Sequence, residues 1–220
     1  MLTGVLCANA QDSTAVKKSS VYLDIHAGPA FRLGKADPNQ EASLQDYSEK
    51  LRTGFQFDVS LYFAVKPESN HMIGFKYNSF NKKAGIRGGV FIDNNGNYVS
   101  GETTDNITLT FYGAGYMYAN HEDNNSEWSV EGALGYMTYR NRAKVGAEYD
   151  AQGSTIGAFL GAAYHFKIVK GVYFGPKISL LVRSINKIQI NGPENIEELN
   201  LEKPESMSRI DISVGLRFKL

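Results

Sequence analysis

The chain is dominated by segments in which apolar and polar residues alternate. In the last of them, apolar residues occupy every second position from Ile210 to Leu220, with Asp211, Arg217 and Lys219 among the residues between them. Alternation of period two predicts a β-strand with one apolar and one polar face. The predicted strands, eight in all, are Val21–Gly34, Leu51–Val65, Met72–Phe80, Ile107–Ala119, Trp128–Arg140, Thr155–Phe166, Val172–Ser184 and Arg209–Leu220.

Most of these segments run to roughly 12–15 residues, whereas strands of soluble proteins typically have about five or six. The segment Ile107–Ala119 is irregular, because its bulky residues change parity after Gly113-Ala114-Gly115. A bulge centred on these glycines would produce such a change. We therefore expect a break in the register of this strand.

The connections between the segments alternate in length. Short connections cover Lys66–Asn70, Asn120–Glu127 and Lys167–Gly171, and long polar ones cover Lys35–Lys50, Asn81–Asn106, Asn141–Ser154 and Ile185–Ser208. The second long connection contains a hairpin signal, Asn95-Gly96. The pattern predicts an all-β, eight-stranded antiparallel up-and-down barrel without a second domain.

Composition narrows the class of protein further. Lys plus Arg and Asp plus Glu number 23 each, so the net charge gives no reason to expect a nucleic-acid partner. The single cysteine excludes an intrachain disulfide, and no apolar run approaches the ~20 residues of a membrane-spanning helix. Residues 1–10, which end in Ala8-Asn9-Ala10, are expected to be a partial signal peptide, with the barrel domain at 11–220; a frayed apolar N-terminus is the alternative.

Alternation does not decide which face of a barrel is inside. A soluble lipocalin-like barrel turns its apolar face inward, whereas an outer-membrane barrel turns it to the lipid. The unequal loops, the aromatic residues near strand ends and both termini at the short-turn end favour the membrane barrel. We therefore expect a transmembrane barrel in the outer membrane of a Gram-negative bacterium, with short periplasmic turns and long extracellular loops.

The last strand carries a resemblance to a known family. Ser213, Gly215, Phe218 and Leu220 have the spacing of the last-strand signal that the barrel assembly machinery reads, although Leu220 stands where an aromatic residue is usual. In this respect the chain resembles the small OmpX-like and OmpA-barrel-like outer-membrane proteins, in style the Bacteroidetes members. The resemblance implies that these four residues form the assembly signal and that the assembly machinery is a partner.

Charged residues recur on the polar face of the strands. An eight-stranded barrel is just wide enough to be filled by side chains, and buried charges need partners. We therefore expect a charge network in the lumen, although a narrow ion or water path is the alternative. Its members would be Asp24, Asp58, Lys76, Glu131, Lys177, Arg183, Asp211 and Arg217.

Basic residues also collect at the long-loop ends of the strands. That end would face the outer leaflet, whose lipopolysaccharide carries phosphates that Arg and Lys bind well. A solvated charged rim is the alternative. The candidate residues for lipopolysaccharide contact are Lys82, Lys83, Arg87, Arg140, Arg142 and Lys144.

Catalytic and cofactor motifs are weak in this sequence. His26 and His165 are expected to face a filled lumen, and the histidines lack metal-ligand spacing, so we predict no enzyme, metal or cofactor. The favoured function is a monomeric, non-enzymatic outer-membrane barrel whose loops serve surface interaction, adhesion or envelope integrity. A small porin-like channel or transport accessory is the alternative, and the surface ligand stays unidentified.

Overall fold

The computed structural model describes residues 20–34, 42–67, 69–92, 98–121, 125–145, 147–192 and 196–220. The described residues form ten strands and one helix: β1 (Val21–Arg32), α1 (Ala42–Arg52), β2 (Thr53–Ala64), β3 (His71–Ile92), β4 (Tyr98–His121), β5 (Ser126–Val145), β6 (Ala147–Val169), β7 (Val172–Val182), β8 (Ser184–Asn191), β9 (Ile196–Ser206) and β10 (Arg209–Lys219). Within this part of the chain, no helix has the length and apolar character needed to cross a membrane.

Eight of these strands close into a ring. β1 to β7 pair in chain order, each antiparallel to the next, and β10 then lies between β7 and β1. The seam between β1 and β10 runs from Tyr22 opposite Lys219 to Arg32 opposite Arg209. The predicted eight-stranded antiparallel barrel is confirmed.

The other two strands extend the wall at the long-loop end. β8 and β9 form a hairpin between β7 and β10, and β8 pairs with β6 at Asp150–Gln152. β3 and β4 likewise remain paired as far as Ile92 opposite Tyr98, and β5 and β6 as far as Val145 opposite Ala147. The predicted turn at Asn95-Gly96 lies outside the described residues.

Helix α1 occupies the end of the first long connection. The predicted start of the second strand at Leu51 is therefore wrong, because Leu51 and Arg52 belong to the last helical turn and β2 begins at Thr53. Leu51 packs on the buried cluster of Ala30, Phe80, Ile107 and Leu109 at the long-loop end of the lumen. Tyr47 of the helix also donates a hydrogen bond to Asp105 of β4, which ties α1 to the barrel mouth.

The predicted bulge in Ile107–Ala119 is also wrong. β4 pairs with β5 without interruption and with β3 in regular register through this segment, the single shift lying further along, between Ile86 and Gly89. The change of parity has another cause. Leu109 and Phe111 point into a lumen that is apolar at this height, whereas Tyr112 and Tyr116 point outward.

The two faces of the wall have opposite chemistry. Outward side chains are apolar and exposed, as Phe75 (69% exposed) and Ile156 (78%) illustrate. Inward side chains are buried and many are charged, among them Asp58, Lys76 and Arg217. A water-soluble protein shows the opposite arrangement, because exposing large apolar surface and burying ions is unfavourable in water. It is the arrangement of a barrel whose outer solvent is lipid.

Candidate functional site: a filled lumen and a basic rim

The middle of the lumen holds an ion-pair cluster of four residues, Asp58, Lys76, Glu131 and Lys177, which we call the middle layer. Lys76 Nζ lies 2.9 Å from Asp58 and 3.0 Å from Glu131. Lys177 Nζ pairs with the same two carboxylates, at 2.8 Å from Asp58 Oδ1 and in direct contact with Glu131. Each ammonium therefore bridges both acids, and the charges of the layer cancel.

Neighbouring groups complete the coordination of the middle layer. The Tyr62 hydroxyl donates to Glu131 at 2.7 Å, and Lys76 Nζ donates to Ser60 Oγ at 2.8 Å. The ring of Phe159 lies against Lys76, with its centroid 4.0 Å from Nζ. Buried ions are tolerated when they are both paired and hydrogen-bonded, and these ions are.

A second cluster lies nearer the short turns and comprises Asp24, Glu127, Arg217 and Lys219, the short-turn layer. Arg217 donates to Asp24 through Nε at 2.7 Å and through Nη2 at 2.5 Å. Its Nη1 donates to Glu127 at 2.9 Å, and Lys219 Nζ lies 2.5 Å from the other Glu127 oxygen. The bidentate pairing fixes the guanidinium plane, and the charges again cancel.

Arg183, Arg209 and Asp211 form a third group toward the long-loop end, the upper layer. Arg209 Nε donates to Asp211 Oδ1 at 2.9 Å, and Arg209 Nη2 donates to Asn78. Arg183 Nε donates instead to the carbonyl of Met207 at 3.0 Å. The structure thus joins seven of the eight predicted lumen residues in ion pairs. Within the described ranges, no carboxylate pairs with Arg183.

Two histidines face each other between the middle and short-turn layers. His26 and His165 are fully buried, with their Nε2 atoms 3.3 Å apart. Their rings meet edge to face, with centroids 5.2 Å apart. In the part of the chain that the structure describes, no three potential metal ligands of the His, Cys, Asp and Glu types cluster.

Apolar side chains close the lumen at its long-loop end. Ile185, Ile188 and Met207 of the β8–β9 region form one buried cluster, against which Tyr139 and Leu201 pack. A neighbouring cluster joins Ala30, Phe80, Ile107 and Leu109, with Leu51 of α1 packed on it. These clusters cover the charged layers from the outside.

The predicted basic residues divide between the two faces of the wall. Arg140, Arg142 and Lys144 continue the outward face of Leu134 and Tyr136 along β5 and are exposed. Lys83 is exposed on β3, whereas Lys82 has the inward parity of Phe80 and is half-buried. Arg87 belongs to β3, but its side chain lies outside the described residues.

An ion pair joins β5 and β6 within this rim. Arg140 Nε donates to both oxygens of Asp150, at 2.9 and 3.0 Å. The hydrogen bonds from Arg140 lower the pKa of Asp150, and they raise the pKa of Arg140 itself. On the neighbouring side of the mouth, burial and the Asp105 carboxylate raise the pKa of Tyr47.

The predicted assembly-signal residues lie on β10 and just after it, at the seam. Gly215 faces the lumen so close to β1 that an added Cβ would meet the Ile25 carbonyl oxygen at 2.1 Å. Ser213 is buried and donates to the Lys177 carbonyl at 3.4 Å. Phe218 pairs with Leu23 and Val172, and the amide of Leu220 donates to Val21 at 2.9 Å.

Glu127, Arg209 and Lys219 belong to the lumen network but are not among its predicted members. The predicted short connection Asn120–Glu127 includes Glu127, whereas β5 begins at Ser126. All three have the inward parity of predicted members of the same strand, Glu131 on β5 and Asp211 and Arg217 on β10. Strict extension of the alternation to the strand ends would have identified them.

A closed antiparallel ring with a lipid-compatible outer face and a polar lumen defines a transmembrane β-barrel. The family model described as the autotransporter beta-domain matches residues 36–220 of the chain. The chain belongs to this family, and it is an outer-membrane β-barrel protein of Gram-negative bacteria. The predicted localisation is thereby confirmed. No curated protein matches its sequence.

Solved structures show the same fold at low sequence identity. Neisserial surface protein A has a TM-score of 0.54 and 12% identity, covering 91% of this chain and 97% of that one. OprG from Pseudomonas aeruginosa has a TM-score of 0.53 and 12% identity, covering 93% and 98%. The Escherichia coli outer membrane protease OmpT has a TM-score of 0.52 and 7% identity, covering 91% and 97%. The fold is therefore shared by a protease and by other barrels, and it does not select an activity.

Proposed function

We propose that this protein is a closed, non-enzymatic outer-membrane barrel of the OmpX-like and OmpA-barrel-like kind, acting through its extracellular surface in surface interaction, adhesion or envelope integrity. The observation that carries the proposal is the filled lumen. Two charge-balanced layers cross it, and apolar clusters cover them at the extracellular end. A barrel packed in this way is a rigid support, and its extended strands and loops are the surfaces left for binding.

The filled lumen also argues against catalysis within it. The buried histidines of the lumen, His26 and His165, lie beside each other among packed side chains, where an extracellular or lipid substrate has no path to them. A general base must come within hydrogen-bond reach of its substrate. The proposal therefore assigns the protein no enzymatic activity, and it treats the barrel as a monomer assembled by the barrel assembly machinery.

Conductance in planar lipid bilayers tests the closed state directly. The purified, refolded chain should show no channel events above those of the empty bilayer. Stable single-channel steps would instead support the alternative of a small porin-like channel. A porin of known conductance, reconstituted in parallel, provides the positive control.

Lipopolysaccharide is the partner that the basic rim fits best. Tyr77, Tyr112 and Tyr136 lie side by side on three adjacent strands and mark the upper edge of the apolar belt. Aromatic residues prefer this interfacial level. Arg142 and Lys144 follow Tyr136 on the same outward face, beyond this edge of the belt, and Arg and Lys bind phosphates well. The proposed contact therefore joins outward Arg and Lys side chains to phosphates of the outer leaflet.

Thermal unfolding with and without lipopolysaccharide tests this contact. Arg142→Glu with Lys144→Glu should reduce the rise in Tm that lipopolysaccharide gives the wild-type barrel. The matched control is Lys167→Glu with Lys170→Glu, which makes the same change of charge at the periplasmic end. An unchanged lipopolysaccharide effect in the first variant, or an equal loss in both, would reject the proposed contact.

A further inference from the structure

Among the described residues, the charges of one lumen layer do not balance. The middle and short-turn layers each contain two cationic and two acidic groups, and every one of these is paired. The upper layer contains the buried cations Arg183 and Arg209 and one buried carboxylate, Asp211, which accepts from Arg209. Among the described residues, one buried guanidinium, that of Arg183, is therefore left without a carboxylate.

Arg183 is held firmly at the junction of β7 and β8. Its amide donates to Ser208 Oγ at 3.2 Å, and its carbonyl accepts from the Met207 amide at 3.2 Å. Its Nε donates to the Met207 carbonyl at 3.0 Å. These bonds fix the backbone and the near edge of the guanidinium, so the far edge has a defined position.

The far edge of the Arg183 guanidinium has no partner in the part of the chain that the structure describes. The residue is only 5% exposed, and neither Nη1 nor Nη2 has a hydrogen-bond acceptor among the described residues. Arginine stays charged in proteins, and a buried charge without a counter-charge is strongly unfavourable. Among the described residues, the Arg183 guanidinium therefore lacks the counter-charge that its burial calls for.

Two further observations point to the same place. Arg209 is fully buried, and its Nη1 also has no acceptor in the part of the chain that the structure describes. Arg209 and Arg32 both act on Arg183 as like charges, and the Asp211 carboxylate acts on it as an opposite charge. Beside Arg183 the wall position on β6 is Gly157, where an added Cβ would stand 3.3 Å from Met137 Cε and 3.7 Å from Arg183 Cβ.

We propose that Arg183 forms a binding site for a small dissolved oxyanion with carboxylate or phosphate chemistry, beneath the β8–β9 hairpin. Because Nε already donates to the Met207 carbonyl, Nη1 and Nη2 are the two donors that remain, and together they form a fork that can bind two oxygens of one oxyanion. Chloride offers one acceptor centre and fits the fork less well. Lipid A phosphates lie outside the wall, whereas this guanidinium lies inside it, so the anion comes from solution.

Thermal unfolding of the refolded full chain in lipopolysaccharide-free detergent micelles tests the site. Formate, phosphate and chloride are compared at constant ionic strength. Formate and phosphate should each raise Tm by about 3–5 °C at roughly ten times their Kd, and chloride by less. Arg183→Met removes the charge and Arg183→Lys removes the fork, so both variants should lose the oxyanion-specific rise.

The control is Arg142→Met, which removes an exposed arginine from the outer wall and should keep the full oxyanion effect. If Arg183→Met fails to fold, calorimetric titration of the wild-type barrel with formate should still show saturable binding at one site. The proposal is overturned by equal effects of oxyanions and chloride on the wild type, or by an undiminished oxyanion effect in Arg183→Lys or Arg183→Met. It is equally overturned if the rise in Tm appears only when lipopolysaccharide is added, since the anion would then be a lipid phosphate.

Discussion

At the scale of single residues, the two lysines of the middle layer decide how the lumen is held together. Lys76 and Lys177 each contact both Asp58 and Glu131, so neither carboxylate depends on one partner alone. Removing one lysine nevertheless leaves two buried carboxylates with one cation. The unpaired charge cannot reach water from the middle of a filled lumen, so its desolvation is not recovered.

We expect Lys76→Met to lower the free energy of unfolding by about 3–5 kcal/mol, because it leaves a buried charge uncompensated. Urea unfolding from detergent micelles measures the change. Lys83→Met, which truncates an exposed lysine on the outer face of the same strand, should change it by no more than about 0.5 kcal/mol. Adding Glu131→Gln to Lys76→Met should restore part of the loss, and equal destabilisation by the two lysine variants would contradict the buried-network explanation.

The sequence predicts which face of the wall each side chain lies on, but it does not predict the position of that side chain along the barrel axis. The alternation correctly places Asp24, Asp58 and Arg217 inside the barrel, because the side-chain period of a strand is two. Which inward residues meet depends on the stagger between strands, and the alternation carries no information about stagger. That no described carboxylate pairs with Arg183 could therefore be seen only from the structure.

At the scale of elements, the strands were predictable and the covering of the extracellular end was not. Long alternating segments can be recognised as strands without knowledge of the tertiary structure, and the eight predicted strands form the closed ring. Helix α1 lies in a polar connection, and its Leu51 fits the alternation of the following strand, so the sequence pattern predicts a loop and a strand start there. The pattern likewise predicts a connection in place of the β8–β9 hairpin, whose strands pair mainly with each other beyond the apolar belt.

The β5–β6 hairpin should lose order at low pH. The Arg140 guanidinium holds the pKa of Asp150 below its usual value. The ion pair therefore contributes stability that is fully present above about pH 4, the pKa of this carboxyl in the unfolded chain. That stability is lost as the pH falls through the lower pKa of Asp150 in the folded protein. Hydrogen exchange of amides near Arg140 and Asp150, corrected for intrinsic rates, should accelerate below about pH 4. In Asp150→Asn this acceleration should be absent, and an unchanged profile would exclude the ion pair as its cause.

At the scale of the whole molecule, one seam decides whether the sheet closes. β10 pairs with β7 on one side and with β1 on the other, so the ring depends on the approach of the first and last strands. Gly215 permits this approach, because any side chain there would collide with the Ile25 carbonyl. An open edge in lipid would leave a row of unpaired backbone groups, each of which costs several kcal/mol. Closure is therefore all or none.

Gly215→Val should prevent assembly of the barrel, because the valine Cβ cannot fit 2.1 Å from a backbone oxygen of β1. Heat-modifiable migration of the refolded chain on gels measures closure, and membrane fractionation measures assembly in cells. Deleting Phe218–Leu220 should fail in the same assays, since it removes the last pairings with β1 and β7. Leu220→Phe changes the same strand end without removing a backbone pairing, and it should assemble normally. If Gly215→Val closes in detergent but fails in cells, the glycine serves recognition by the assembly machinery; failure in both would place its role in the geometry of the seam.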